Sequence, residues 1–170
     1  MTRLGSQIQP EIVRMPTQKL AVVRTVGDPN VVAGDAMKAL FGSVYTLKFD
    51  LKKKGRDFKV CGLRARWPNV HIAPKDEWVG LWGLPIPSAT RSLPQKHPEV
   101  EVRIEKWQYG TVAQILHRGP YAEEAPTVER LHDFIAAQGY EVAGPHEEEY
   151  LTRPTAKVPK TIIRYAVRKR

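Results

Sequence analysis

The spacing of apolar positions predicts a strand-rich chain with two long helices. Leu20-Ala21-Val22-Val23-Arg24-Thr25-Val26 and Val112-Ala113-Gln114-Ile115-Leu116-His117-Arg118 both read as strands, and each runs into a glycine, Gly27 or Gly119. After the first, Val32, Ala36, Ala39, Leu40, Ser43, Val44 and Leu47 recur at helical spacing, so a helix capped by Asp28, with Pro29 in its first turn, should end near Phe49. After the second, Val128, Leu131 and Ile135 form one stripe, Pro126 sits in the first turn and Gly139 supplies a left-handed cap. Further strands are expected at Phe58 to Cys61, Trp78 to Leu84, Val100 to Tyr109, Tyr140 to Val142, Glu147 to Leu151 and Thr161 to Val167.

The two glycines lie 92 residues apart, a little over half the chain, and each ends a strand that leads into a helix. The sequence therefore reads as an internal duplication, one domain over 1–170 with pseudo-repeats at about 10–84 and 98–170. The expected class is α+β, with helical stripes covering a sheet. Pro85, Pro87, Pro94 and Pro98 mark the connector from Leu84 to Glu99, either a slack linker or an ordered lid.

Composition narrows the setting. At 170 residues and 42% hydrophobic content the chain can bury one sizeable core. Cys61 is the sole cysteine, which excludes an internal disulfide and cysteine-built metal sites. Met1-Thr2-Arg3-Leu4 leads into no apolar stretch, and no run approaches the roughly 20 apolar residues of a spanning helix. A soluble, cytoplasmic protein without a membrane partner is expected. The net charge of +9 raises the question of nucleic acid, but the cations gather in Lys52-Lys53-Lys54-Gly55-Arg56, which reads as a turn, and in Arg168-Lys169-Arg170. No reading helix, zinc-finger spacing or ribonucleoprotein motif accompanies them, so no specific nucleic-acid partner is expected. His71, His97, His117, His132 and His146 fall in separate elements, which predicts no metal, and no cofactor fingerprint occurs.

Against that basic background, His146-Glu147-Glu148-Glu149-Tyr150-Leu151 concentrates acid. Alternation along a strand puts Glu148 and Tyr150 on one face and Glu147, Glu149 and Leu151 on the other. A carboxylate beside aromatic rings stabilises a cation, or moves protons if burial raises its pKa. Spacing alone equally fits a solvated edge strand with three exposed glutamates, the commoner fate of a charge run. Trp67, Trp78, Trp82 and Trp107 are core or cleft candidates. Gly80, between Trp78 and Trp82, would leave room for a flat ligand. Glu105, Trp107 and Tyr109 share the other alternating face of interest; Tyr109 and Trp107 are candidate cleft residues, and Glu105 a surface partner for a lysine.

Three segments carry a resemblance. Gln114-Ile115-Leu116-His117-Arg118-Gly119-Pro120-Tyr121-Ala122-Glu123-Glu124, Gly144-Pro145-His146-Glu147-Glu148-Glu149-Tyr150-Leu151 and Lys160-Thr161-Ile162-Ile163-Arg164 resemble, in order and spacing, the GyrI-like small-molecule-binding family, whose fold is shared by effector-binding domains of transcription activators. Gly27-Asp28-Pro29 and Tyr45-Thr46-Leu47-Lys48-Phe49 are similar to a stand-alone bacterial subgroup. The resemblance implies duplicated strand-helix-strand-strand units, two helices on an antiparallel sheet and a central ligand cleft. It implies that Glu148 and Tyr150 lie in the cleft; taken with the aromatic pattern, the expectation is a small-molecule ligand, flat and apolar or cationic, with Glu148 as the charged contact, Tyr150 hydrogen-bonding it or the ligand, and Tyr45, Trp67, Trp82 and Tyr109 as walls. The subgroup also resembles hydrolases that open the cyclopropane of DNA-alkylating antibiotics. In that alternative Glu148 and Tyr150 are the catalytic pair. An interaction module like the family's gyrase inhibitor is a third reading, with its protein partner unknown. Leu63-Arg64-Ala65-Arg66-Trp67 departs from the subgroup's Leu-Glu-Gly-Leu-Trp: Trp67 is kept, and Arg64 replaces an acid.

Overall fold

Gly27 and Gly119 both hold positive φ, 129° and 122°, in the region that favours glycine, and both turn a strand into a helix. The computed structural model describes residues 9–153 and 155–170, so the expectation for Met1 to Leu4 falls outside it. Two compact units result: Thr17–Gln108, and Tyr109–Arg170 with the segment through Pro16.

The first unit contains β2 (Gln18–Val26), α1 (Pro29–Lys53), β3 (Arg64–Trp67), β4 (Val79–Pro85) and β5 (Arg103–Trp107). All pairings are antiparallel: β4 lies between β2 and β3, and β5 joins the free side of β2. The helix starts as expected, with Asp28 accepting from the Asn30 backbone N–H at 2.9 Å. Its buried stripe is Ala36, Ala39, Leu40, Ser43, Val44 and Leu47. It passes Phe49 and ends at Lys53, because half-buried Leu51 continues the stripe and Gly55, at φ 72°, is where the chain can turn. Of the basic run, Lys52 and Lys53 close the helix, and Lys54 and Gly55 form the expected turn. Phe58 to Cys61 forms no strand; instead Lys48 Nζ donates to the Phe58 carbonyl and the Asp57 carboxylate, both at 2.6 Å. The proline-rich connector is ordered: Lys19 Nζ donates to Thr90 O at 2.8 Å, and Gln95 bonds both the N–H and the carbonyl of Val102.

The second unit repeats the plan. It contains β1 (Glu11–Met15), β6 (Gly110–Arg118), α2 (Ala125–Ala137), β7 (Tyr140–Val142), β8 (His146–Tyr150) and β9 (Lys160–Lys169). Here β9 lies between β6 and β8, and β1 joins the free side of β6, matching β4, β2, β3 and β5 in turn. The extra β7 pairs with the far end of β9. The units divide the chain at residues 17 and 109 because β1 pairs with β6, and β5 with β2, rather than each with the strand that follows it. α2 packs Leu131 and Ile135 against Ala113, Ile115, Ile163, Tyr165 and Val167. Each such buried aliphatic side chain contributes about 1.5–3 kcal/mol. Both units are α+β, with a helix on an antiparallel sheet. Among the described residues, no helix is long and apolar enough to cross a membrane.

Candidate functional site

β8 separates its acids by alternation. Register places Glu147 opposite Arg164 and Glu148 opposite Ile163, so Glu148 shares the α2-facing side of the sheet with Ile163 and Tyr165. Glu147 is buried and Glu148 and Glu149 are partly buried, which excludes the reading of three exposed glutamates. On the opposite side, Arg164 Nη1 donates to Glu147 Oε2 at 2.8 Å and Arg164 Nε to Gln114 Oε1 at 2.9 Å, while Glu149 Oε1 accepts at 3.3 Å. Tyr109 belongs to this ion-pair layer. Its hydroxyl donates to Glu147 Oε1 at 3.1 Å, with the Arg164 guanidinium 5.6 Å from its ring centre, so the expected Tyr109 wall beside Glu148 is replaced by a brace for Glu147.

The Glu148 side is a polar cluster among rings. His146 Nε2–H donates to Glu148 Oε1 at 3.0 Å and the Tyr150 hydroxyl to Oε2 at 2.7 Å. His146 Nδ1 and the Tyr165 hydroxyl are 2.6 Å apart, and the His132 ring packs tilted against Tyr165 with centroids 4.8 Å apart. Tyr121 meets Tyr150 edge-on at 5.6 Å and keeps 39% of its surface exposed, which gives the cluster an open side. Glu148 itself is 12% exposed.

Glu124 was not anticipated. The loop from β6 to α2 has six residues, Gly119 to Glu124, where the β2 to α1 loop has only Gly27 and Asp28. His117 fastens it: Nε2–H donates to the Pro120 carbonyl at 3.0 Å, and Nδ1 accepts from the Thr127 hydroxyl at 2.7 Å. Glu124 occupies the N-cap position of α2 but makes no side-chain cap bond, unlike Asp28 at α1. Its carboxyl turns instead toward Glu148, and the donor atoms of Glu124, His146 and Glu148 all lie within 4.8 Å of one another. As an anion Glu124 would leave Oε1 buried with no donor. Burial, followed by the hydrogen bond and charge of Glu148, pushes Glu124 up to about 10, so it keeps its proton and donates to Glu148. For Glu148 burial favours the neutral form, but the donors His146, Glu124 and Tyr150 outweigh it and hold the carboxyl near 2. Burial and the Glu148 charge raise Tyr121, Tyr150 and Tyr165, the last to about 12, so all three keep their hydroxyl protons. Burial lowers His132. The triad has metal-ligand proximity, but both Glu148 oxygens and both His146 nitrogens are already engaged in hydrogen bonds.

Of the expected site residues, Glu148 and Tyr150 come together; Tyr45, Trp67 and Trp82 belong to the other compact unit. Trp67 and Trp82 pack edge-to-face at 5.1 Å, and Trp82 Nε1 donates to Thr25 Oγ1 at 3.1 Å. The space over Gly80 is not free for a ligand. A Cβ there would meet Thr25 Oγ1 at 2.8 Å and Trp82 Nε1 at 2.9 Å, so the glycine admits the tryptophans themselves. Tyr45 lies off the sheet-facing stripe of α1, between Phe41 and Phe49 in a ladder with centroids 6.3 and 6.2 Å apart. It also borders a surface hollow lined by Lys48, Asp57, Phe58, Lys59 and Val60. Arg64 Nη1 donates to Gln18 Oε1 at 2.7 Å. Trp107 packs under Arg66 at 3.9 Å and donates to Glu105 Oε1, and Glu105 faces Arg103 rather than a lysine.

Residues 8–167 match the sequence model of the GyrI-like small molecule binding domain. No curated protein matches the chain. Among solved structures, an uncharacterized conserved protein from Listeria innocua is 25% identical with TM-score 0.84, and a hydrolase from Listeria innocua is 25% identical with TM-score 0.79; each comparison covers 95% of this chain and 93% of the other. The EcmrR C-terminal domain shares the fold at TM-score 0.65 and 11% identity, over 95% of this chain and 98% of its own.

Proposed function

Since this chain belongs to the GyrI-like small molecule binding domain family, we propose that it binds a flat, apolar, cationic compound against Glu148, in the cytoplasm. The observation that carries the reading is a Glu148 carboxylate held anionic in a largely buried site walled by Tyr121, Tyr150 and Tyr165. An anion already desolvated and oriented attracts a cation more strongly than a surface acid, and the ring faces add about 0.5–1 kcal/mol each at exposed positions and more where water is excluded. Tyr150, whose proton is committed to Glu148, fixes the carboxylate rather than contacting the ligand through its hydroxyl. Calorimetry on Glu148→Gln tests this. A cationic ligand should lose at least tenfold in affinity, about 1.4 kcal/mol or more, and its neutral isostere less than threefold. Equal losses for both would remove the charge role.

The second reading is a hydrolase that opens cyclopropane-bearing alkylating compounds, favoured by the 25% identical Listeria innocua hydrolase and by the acid and carboxylate side by side at Glu124 and Glu148. In this reading Glu148 orients water, and neutral Glu124 supplies the proton more readily than Tyr150. A carboxylate stabilised by three donors is a weak base, which is why binding is preferred. Incubation with a cyclopropane-bearing alkylator decides between them. Hydrated product above the buffer background, followed by mass spectrometry, would establish turnover, and its absence leaves the binder.

A further inference from the structure

We infer that Glu124 gives up its proton when an N–H-bearing cation binds at Glu148, so that the site selects protonated amines, amidines or guanidines over quaternary ammonium compounds. The inference rests on the reading of Glu148 as the charged contact and names the class of cation. Three observations lead to it. Glu124 and Glu148 hold their carboxyls within 4.8 Å together with His146, and two carboxylates this close in a largely desolvated site do not both ionise without a cation between them. Glu124 Oε1 is buried and accepts no hydrogen bond from any described residue, so an acceptor stands ready for a ligand. Glu124 also leaves the N-terminus of α2 uncapped, which keeps its side chain free of a competing backbone partner.

The groups facing Glu124 favour its neutral state in the empty protein. Glu148 is anionic; His146 directs Nε2–H at Glu148; Tyr150 on the same strand, Tyr121 on the preceding loop and Tyr165 on β9 keep their protons; His132 on α2 stands behind Tyr165. The burial and neighbouring negative charge that raise Glu124 are partly cancelled by an incoming cation. An ammonium N–H takes the place of the Glu124 proton as donor: the Glu124 O–H bond breaks, the proton passes to solvent, and the two carboxylates then accept from the ligand. A quaternary ammonium compound carries the charge but no N–H, and leaves Oε1 without a donor, so Glu124 keeps its proton.

Benzylammonium and benzyltrimethylammonium are suitable probes, titrated calorimetrically into the full-length protein in phosphate and in Tris, whose ionisation heats differ. Wild type should release close to one proton per benzylammonium and far less per benzyltrimethylammonium. Benzylammonium affinity should rise with pH by up to tenfold per unit between about pH 6 and about pH 8, where the amine stays charged. Glu124→Gln, whose amide can still donate to Glu148, should bind benzylammonium with no proton release and no pH dependence. Infrared difference spectra of the empty proteins add a ligand-free arm, because the neutral-acid carbonyl band of wild type should vanish in Glu124→Gln. Binding of both probes without proton release, unchanged release in Glu124→Gln, or a missing carbonyl band would each overturn the inference. Failure of both probes to bind wild type while the carbonyl band is present would overturn the ligand reading of Glu148 instead, and the inference with it.

Discussion

Adjacent acids on β8 have opposite duties, and the difference lies in their neighbours rather than in their own chemistry. Glu147 is 2% exposed and meets a guanidinium partner in Arg164, whereas Glu148 meets an imidazole, a phenol and a second acid. The first arrangement is structural and the second stays receptive to a charge from outside. Arg164 also gathers Gln114 and Glu149, and Gln114 Nε2 donates on to Glu11 at 2.8 Å, tying β1 into the same layer. Arg164→Met should therefore cost about 3–5 kcal/mol in urea denaturation, since Glu147 keeps a buried charge without its guanidinium. The double variant Arg164→Met/Glu147→Gln should recover a substantial part of that loss. If the single variant cost less than about 1 kcal/mol, the layer would not hold the unit together.

Elements were legible where a period is long enough to be unmistakable. The stripes of α1 and α2 repeat over several turns, so their buried residues are legible directly, whereas the end of α1 lies beyond Phe49 because Leu51 continues the stripe to the turn at Gly55. Short strands are different. β1 and β3, of five and four residues, each carry two charges and gain their identity from partners elsewhere along the chain, Gln114 for Glu11 and Gly83 for Arg64. Conversely Phe58 to Cys61 has strand-like composition and no strand to pair with. The site divides in the same way. Glu148 and Tyr150 follow from alternation inside one strand, but the contact of Glu124 with Glu148 spans two elements and leaves no local pattern. Its one local sign is a glutamate standing where α1 has the capping aspartate Asp28. The tryptophan spacing was also visible, yet spacing could not tell that Trp67 and Trp82 would fill the space above Gly80.

For the whole molecule, the formal charge of +9 sets long-range electrostatics against the short-range preference of the site. A cation approaching the protein meets net repulsion before it reaches Glu148, and only there does the local anion dominate. Salt acts on these two contributions unequally: exposed charges are screened over a Debye length of about 10 Å at 0.1 M, while a largely buried contact is screened much less. Raising the ionic strength from about 0.01 M to about 0.3 M should therefore increase the association rate of a cationic ligand, on the order of twofold, and leave its dissociation rate nearly unchanged. This is opposite to the behaviour of an acidic protein that steers cations inward, whose association slows in salt. Stopped-flow measurement of benzylammonium competing with a fluorescent cation gives both rates. An association rate that falls with salt would mean that the acids around the Glu148 cluster, rather than the net charge of the chain, govern the approach of the ligand.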